Sequence, residues 1–380
     1  MTEPSTPTLT RIHVGGYRSL SDVTLEPGRI TVLIGPNSVG KSNFLSFLQM
    51  LTRFPKGGLS NFVRERGGAS NLLHYGPKQT PHVWFRLDLD EGGIRTTYNA
   101  TLGFTAGERF VFFVEAVSQQ AEGQEPEYRK QLDSHDESAF ATSAQHWDHP
   151  ALTRISRWLR RVSVHHFHDT SITSVLRGNS PGGDDRSLGA DGYNLAGFLY
   201  RLMRSHDPGD QAAWRRIGLL IRRIAPAVAD LIPEPVNPND DEDQPKHVRL
   251  RWRDDRGETF GTDALSDGTL RAIALVTALA QPTATLPALL SIDEPELGLH
   301  PAALALVADL IRSVSSRCQV VLATQSPALL DYFTAEEVAV VERHEGETKL
   351  RRLVPEDLRS WLAEYSLSEL YDKNVLGGRP

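Results

Sequence analysis

The sequence predicts an α/β fold: a mixed central sheet built around a phosphate loop, with an antiparallel β-subdomain and a helical lid inserted into the chain. Three observations predict it. The run Gly35-Pro36-Asn37-Ser38-Val39-Gly40-Lys41-Ser42 stands between a β-branched apolar stretch and an amphipathic one. The stretch Leu289-Leu290-Ser291-Ile292 is apolar enough for a central strand and ends in Asp293-Glu294, at the carboxyl end where open α/β sheets bind ligands. Between them lie three alternating segments separated by hairpin-like turns.

In chain order, Leu9 to Val14 and Ser21 to Leu25 read as short strands, and Arg29 to Ile34 as the buried strand before the loop. Lys41 to Thr52 repeats apolar residues at helical spacing through Phe44, Leu45, Phe47, Leu48 and Leu51. Lys56 to Gly76 shows no clear period and reads as a loop. Pro81 to Leu89, Ile94 to Phe104 and Arg109 to Val117 make the antiparallel sheet. Ser118 to Trp147 is polar and irregular, the composition of a mobile loop. His149 to Val162 reads as a helix and Ser163 to Phe167 as a strand.

A Gly-, Asp- and Ser-rich loop from Arg177 to Gly192 leads to two helical stretches, Tyr193 to Ser205 and Gln211 to Ile232. Asn239 to Asp243 is an acidic loop tip, with a weak cation site as the alternative. His247 to Arg253 and Glu258 to Phe260 form a hairpin. Ser266 then caps a helix running to about Ala280, and Val320 to Ala323 is a further strand. The expected division is a discontinuous unit, 1–168 and 246–380, with a helical insertion at 169–245.

The phosphate-loop residues have physical jobs. Gly35 and Gly40 let backbone N–H groups turn inward in conformations that a Cβ obstructs. Pro36, Asn37, Ser38 and Val39 complete the turn, and Asn43 opens the helix with them. Lys41 brings a point charge to the terminal phosphates, and the Ser42 hydroxyl reaches a Mg²⁺. Asp293 is suited to the same cation and Glu294 to polarising a water as general base. Leu265-Ser266-Asp267-Gly268 places a hydroxyl and the Gly268 N–H at a helix N-terminus, a second anion site. A fourth motif, Ala323-Thr324-Gln325-Ser326-Pro327, follows the late strand.

Composition narrows the class. The chain has 380 residues, 39% of them hydrophobic, enough for a sizeable core. No run approaches a membrane span, the first ten residues are polar without a leader pattern, and a single cysteine, Cys318, excludes an internal disulfide framework. A cytoplasmic protein without membrane contact is the expectation. The net charge of −7 argues against coating nucleic acid by charge alone. The clusters Arg154, Arg157, Arg160, Arg161 and Arg215, Arg216, Arg222, Arg223 read first as solvated helix faces, with phosphate contact as the alternative.

The four motifs in this order resemble the ABC-type ATPase heads of the SMC, RecF and OLD group, and Asp293-Glu294-Pro295-Glu296-Leu297-Gly298-Leu299-His300-Pro301 is close to that group's pattern. Val164 to Ser171, and the ending from Trp361-Leu362 through Tyr365-Ser366-Leu367 to Leu376-Gly377-Gly378-Arg379-Pro380, are similar to one bacterial subgroup of RecF-like ATPases. The resemblance covers nearly the whole chain. It implies an ATPase that closes head to tail as a homodimer, each ATP and its Mg²⁺ held between the phosphate loop of one copy and Ser266 and Gly268 of the other. It also implies possible DNA contact and a separate effector or nuclease partner, because the tail from Ala328 to Pro380 is too short for a fused nuclease domain.

Two departures follow from the comparison. Gln325 stands where many heads carry histidine; it can orient a water but cannot take a proton at neutral pH, which implies slow turnover. The glutamine expected after the strand entering the lid is replaced by His168-Asp169-Thr170, so His168 or Asp169 is expected to reach the cation or the water, with polar residues that merely cap the strand and loop as the alternative. A transition-metal site of His165, His166, His168 and Asp169 is the weaker alternative, because strand alternation opposes His165 to His166. Three functions remain open: an ATPase in DNA maintenance or phage defence, an ATP-gated interaction protein with little hydrolysis, and, less well matched, the nucleotide-binding subunit of a transporter. Trp361, Leu362, Tyr365, Leu367, Leu370 and Tyr371 form an apolar set that packs on the head or docks a partner.

Overall fold

The β-branched run at Ile30–Ile34 is buried along its whole length, as expected of a strand covered on both faces. In the computed structural model, which describes residues 6–121, 128–133, 135–141, 149–183 and 186–378, it is strand β3. It follows β1 (Thr8–Tyr17) and β2 (Leu20–Leu25), and leads into α1 (Lys41–Leu51). Next come α2 (Leu59–Glu65), β4 (His82–Glu91), β5 (Ile94–Thr105), β6 (Arg109–Ala121), β7 (Tyr128–Gln131), α3 (Pro150–Arg160) and β8 (Val162–His166). The middle of the chain holds β9 (Ser180–Pro181), α4 (Leu195–Arg204), α5 (Pro208–Ile224), β10 (Asp230–Pro235), β11 (His247–Arg253), β12 (Thr259–Gly261) and α6 (Asp267–Ala280). The last third comprises β13 (Leu289–Asp293), α7 (Pro301–Ser315), β14 (Gln319–Thr324), α8 (Pro327–Leu330), β15 (Val338–His344), β16 (Glu347–Arg352), α9 (Pro355–Leu362) and α10 (Leu367–Asp372).

The chain divides into two units: Met1–Val164 with Pro287–Ser291 and Gln319–Pro380, and His165–Leu286 with Ile292–Cys318. The first unit contains the antiparallel sheet, in the order β2-β1-β4-β5-β6-β7, and the phosphate-loop sheet, in the order β16-β15-β3-β14-β13-β8. Within the latter β3 runs parallel to both β14 and β15, while β15 and β16 form an antiparallel hairpin. The strands β8 and β13 end on residues of the second unit. That unit carries its own small sheet, β10-β11-β12 with β9 on β11, and the helices α4 to α7.

Aromatic packing holds the phosphate-loop helix in place. Phe47 of α1 makes edge contacts with Tyr17 and Phe85, at centroid distances of 5.7 and 5.5 Å. Phe85 meets Tyr98 at 5.3 Å, and Tyr98 meets Phe140 at 5.4 Å. These rings belong to one buried cluster that also takes in Phe44, Phe54, Phe62 and Trp158. A buried carboxylate beside it, Glu115, is satisfied by Tyr98 Oη, Ser138 Oγ and the Ala139 N–H, which is what a buried acid needs to avoid an unpaired desolvation penalty.

The structure differs from the sequence reading in four places. The stretch read as a loop at Lys56 to Gly76 contains α2, whose buried face is only Leu59, Phe62 and Val63, too short to show a period. In the stretch 118–147, β6 continues to Ala121 and β7 pairs with it; residues 122–127, 134 and 142–148 lie outside the described residues. The second helical stretch, α5, stops at Ile224, before Ala225-Pro226, where proline forbids continuation. Asp230–Pro235 is instead the edge strand β10, whose Pro233 and Pro235 are tolerated because an edge needs fewer ladder donors. The apolar tail set splits: Leu367, Leu370 and Tyr371 are buried, while Trp361 and Leu362 are exposed. Among the described residues no helix is long and apolar enough to cross a membrane.

Candidate functional site

The phosphate loop lies in the first unit. Lys41 is 5% exposed, and its Nζ donates to the carbonyls of Gly35 at 2.6 Å and Pro36 at 2.8 Å. The ammonium is thereby folded back into the loop mouth. Gly40, at φ 115°, precedes α1, which has no side-chain cap and no acidic residue in its first turn. An N-terminus left this way keeps its N–H groups for an anion. Ser38 also has a positive φ, 66°, a strained conformation for a residue with a Cβ, of the sort found at ligand-binding turns.

A brace behind the loop comes from residues far away in sequence. Thr348 of β16 donates its hydroxyl to the carbonyl of Val39 at 2.7 Å and lies 2.7 Å from Ser19 Oγ. Asn43 Nδ2 donates to Ser19 Oγ at 2.7 Å. A Cβ on Gly40 would stand 1.9 Å from Thr348 Oγ1, so the glycine is required by contact as well as by φ. Sequence reasoning missed Ser19 and Thr348. Ser19 sits in a tight β1–β2 turn marked by Gly16 at φ 75° and Arg18 at φ 49°; Thr348 carries no local signal. Gln325 is exposed just after β14, where Thr324 is buried.

Asp293 and Glu294 lie in the second unit. Asp293 and Glu294 have side chains 13% and 18% exposed, and Glu294 takes a left-handed backbone, φ 46°. That conformation aims the chain into a tight loop, with Leu297 N–H bonded to Glu294 O at 3.1 Å. His300 then caps α7 through its Nδ1, with Pro301 in the first helical turn.

His168 Nε2 lies 3.3 Å from the carbonyl oxygen of Asp293, 3.9 Å from Glu294 Oε2 and 4.0 Å from Asp293 Oδ2. The three residues border a cavity of about 20 Å³, room for a single water. Asp169 is placed differently. It is exposed and its Oδ1 accepts from Ser171 N–H at 2.9 Å. Hydrogen bonds from the Ser171 hydroxyl and N–H hold its carboxyl below the usual carboxylate range.

Ser266 caps α6, as its sequence position implies, accepting from Thr269 N–H at 3.2 Å. A Cβ on Gly268 would lie 2.3 Å from Gly298 O. His165 is buried and stacked against Phe167 at 5.4 Å. Burial pushes its pKa down to about 4, and its Nδ1 bonds to Gly189 O. Among the described residues no group of three or more His, Cys, Asp or Glu side chains is placed to hold a metal ion.

The family whose model matches is described as "AAA domain, putative AbiEii toxin, Type IV TA system", over residues 30–331. The chain belongs to this family. The match runs from β3 through α8 and therefore takes in all four motifs. Among curated proteins no sequence matches the chain. Solved structures do. An Smc head bound to the C-winged helix domain of ScpA is 17% identical with a TM-score of 0.61, covering 92% of this chain and 99% of that one. The Smc head with an extended coiled coil, bound to the C-terminal domain of ScpA derived from Pyrococcus furiosus, is 14% identical with a TM-score of 0.62, covering 94% and 99%. An Smc head domain with coiled coil and joint from Pyrococcus yayanosii is 11% identical with a TM-score of 0.59, covering 94% and 99%. These likenesses establish that this AAA-domain chain has the fold of the Smc heads.

Proposed function

We propose that this chain binds and hydrolyses Mg-ATP, and that two copies close head to tail around two nucleotides. The observation that carries the reading is Lys41, whose buried ammonium bonds to Gly35 O and Pro36 O at the mouth of an uncapped helix N-terminus. A polyphosphate supplies better acceptors than those carbonyls, and the open N–H groups of α1 fit its oxygens. The hard oxygen donors of Ser42 and Asp293 fit Mg²⁺, which when bound neutralises charge on the phosphates.

In this reading Gly35, Pro36, Asn37, Ser38, Val39, Gly40 and Asn43 shape the phosphate cradle. Lys41 binds the terminal phosphates, Glu294 accepts a proton from the attacking water, and Gln325 orients that water. Ser266 and Gly268 contact the nucleotide of the second copy. Dependence of turnover on association follows, because one copy alone lacks those donors.

The test combines three variants. Lys41→Ala should abolish binding of a fluorescent ATP analogue. Glu294→Gln should bind it and accumulate ATP-dependent dimers in light scattering, while Ser266→Arg should bind it and stay monomeric. ATP-dependent dimers of Ser266→Arg would sink the sandwich.

A second reading has a specific observation behind it. Gln325, which cannot carry a proton, stands exposed after β14; the chain would then act as an ATP-gated interaction protein with little hydrolysis. Equal, near-zero turnover of wild type and Glu294→Gln would favour it. The setting we infer for either reading is DNA maintenance or phage defence with a separate effector. It is tested by ATP-dependent binding of Glu294→Gln to linear, nicked and single-stranded DNA over a salt series.

A further inference from the structure

One arginine outside the four motifs ties two of them together. Arg177 sits in the loop before β9, and its side chain is only 8% exposed. Its Nε donates to Thr170 O at 2.9 Å, two residues from His168. Its Nη1 donates to the carbonyls of Thr262 and Leu265, and its Nη2 to Leu265 O at 3.2 Å and Asp267 Oδ1 at 2.9 Å. Thr262 Oγ1 returns a hydrogen bond to Arg177 O at 2.9 Å. The guanidinium therefore spends its donors on both the turn that follows His168 and the turn that presents Ser266.

A planar five-donor fork is needed for such a span, and lysine has no equivalent geometry. A second strut runs in parallel. Arg271, one turn into α6 from Ser266, donates to the carbonyls of Phe167 at 3.1 Å and His168 at 2.6 Å. The helix N-terminus itself backs onto Gly298, four residues after Glu294. Ser266-Gly268 and the His168-Asp293-Glu294 group are thus joined through short, charge-assisted bonds, so a displacement of one is transmitted to the other.

The geometry points to Arg177 as a positioning residue that couples the nucleotide contacted by Ser266 and Gly268 in the partner copy to the acid pair of its own copy. The inference rests on the head-to-tail reading. Engagement of the partner's ATP pulls the Thr262–Asp267 turn; Arg177 carries the movement to Thr170, and His168 moves against Asp293 and Glu294. Each copy then hydrolyses its own ATP fastest when its signature turn grips the other one. This intramolecular relay predicts an effect in cis that presentation of the signature alone would not give.

Mixed dimers read the difference. A trace of test chain is titrated with a large excess of Glu294→Gln chain, so that turnover comes only from the test chain's own acid pair while the excess chain supplies the signature turn. With Arg177→Lys on the test chain, in cis to the working Glu294, turnover should fall about tenfold. Affinity for the fluorescent ATP analogue should stay within about twofold of wild type, which shows that the chain is folded. Asp267→Asn, which removes the exposed charged partner and keeps the carbonyl bonds, should give a smaller loss in cis.

Full turnover with Arg177→Lys in cis, with a loss only when the substitution is on the excess Glu294→Gln chain, would overturn the relay and reduce Arg177 to a support of the signature turn. Absence of any stimulation of wild-type test chain by the excess chain would overturn the head-to-tail reading itself, and the relay with it.

Discussion

The α-carbon of Gly268 faces the carbonyl oxygen of Gly298 so closely that a methyl group on it would stand 2.3 Å from that oxygen. Gly298 has φ 76°, and a Cβ there would in turn stand 3.0 Å from Arg271 Nη1. Two glycines from separate motifs thus let a helix N-terminus rest directly on the loop that follows the acid pair. The sequence predicts a need for the N–H of the glycine in Leu-Ser-Asp-Gly; the structure adds a need for lack of bulk. Gly268→Ala should therefore lift the start of α6 from Gly298. The expected outcome is loss of association-stimulated ATP turnover with ATP-analogue binding retained, and retained stimulation would show that the contact yields without consequence.

Thr348 lends itself to a test remote from any nucleotide contact. Replacing it by valine keeps the shape but leaves the buried Val39 carbonyl without its donor and removes the bond to Ser19. Leaving such a group unsatisfied costs about 1–3 kcal/mol. Thr348→Val should weaken binding of the ATP analogue by about tenfold or lower the thermal midpoint by several degrees, measured by fluorescence titration and by scanning calorimetry. Unchanged values in both would dissolve the brace.

Legibility followed how local each cause was. Strand β3, the loop and α1 could be read from Ile30 to Leu51 because the unbroken β-branched run, the glycine positions and the helix period all fall within a few residues. The three hairpin strands and the Ser266 cap were legible for the same reason. The helix α2 buries only three side chains, too few for a pattern, and β10 looked helical because Leu231 and Ile232 extended the spacing of α5 past Pro226. At the site, the acids and the lysine announce themselves by type and spacing. Ser19, Thr348 and Arg177 do not, since their partners stand 329 residues away for the first two and 85 to 90 for the bonds of Arg177 to the signature turn. Such long-range hydrogen bonding leaves no trace in a single sequence.

The neutral burial of His165 makes stability depend on pH. Its folded pKa is about 4, below the unfolded value of about 6.5, so between these limits the unfolded chain binds the extra proton. Stability from this group is fully present above pH 6.5 and is lost as pH falls toward 4, by up to about 3 kcal/mol. His165→Gln retains a donor for Gly189 O but does not titrate. Urea unfolding at pH 7.5 and pH 5.0 should show a smaller drop in midpoint for the variant than for wild type. Equal drops would mean that His165 is protonated in the folded protein.

The last test separates the two residues that the sequence left as alternatives. His168 points at the acid pair, 3.9 Å from Glu294 Oε2 and 3.3 Å from Asp293 O, whereas Asp169 turns its carboxylate to Ser171 at the surface. A general base gains rate from being held in place before the water arrives. We expect His168→Ala to lower the turnover number by about tenfold or more while leaving the half-saturating ATP concentration close to wild type, because the proposed phosphate cradle lies on other residues. Asp169→Ala should change the turnover number by less than about twofold and leave its Mg²⁺ dependence in place. His168→Gln, which keeps a hydrogen-bond donor without the ring, should recover part of the rate. If Asp169→Ala proves the more damaging and displaces the Mg²⁺ dependence, the carboxylate must swing toward the acid pair on nucleotide binding, and the assignment passes from His168 to Asp169.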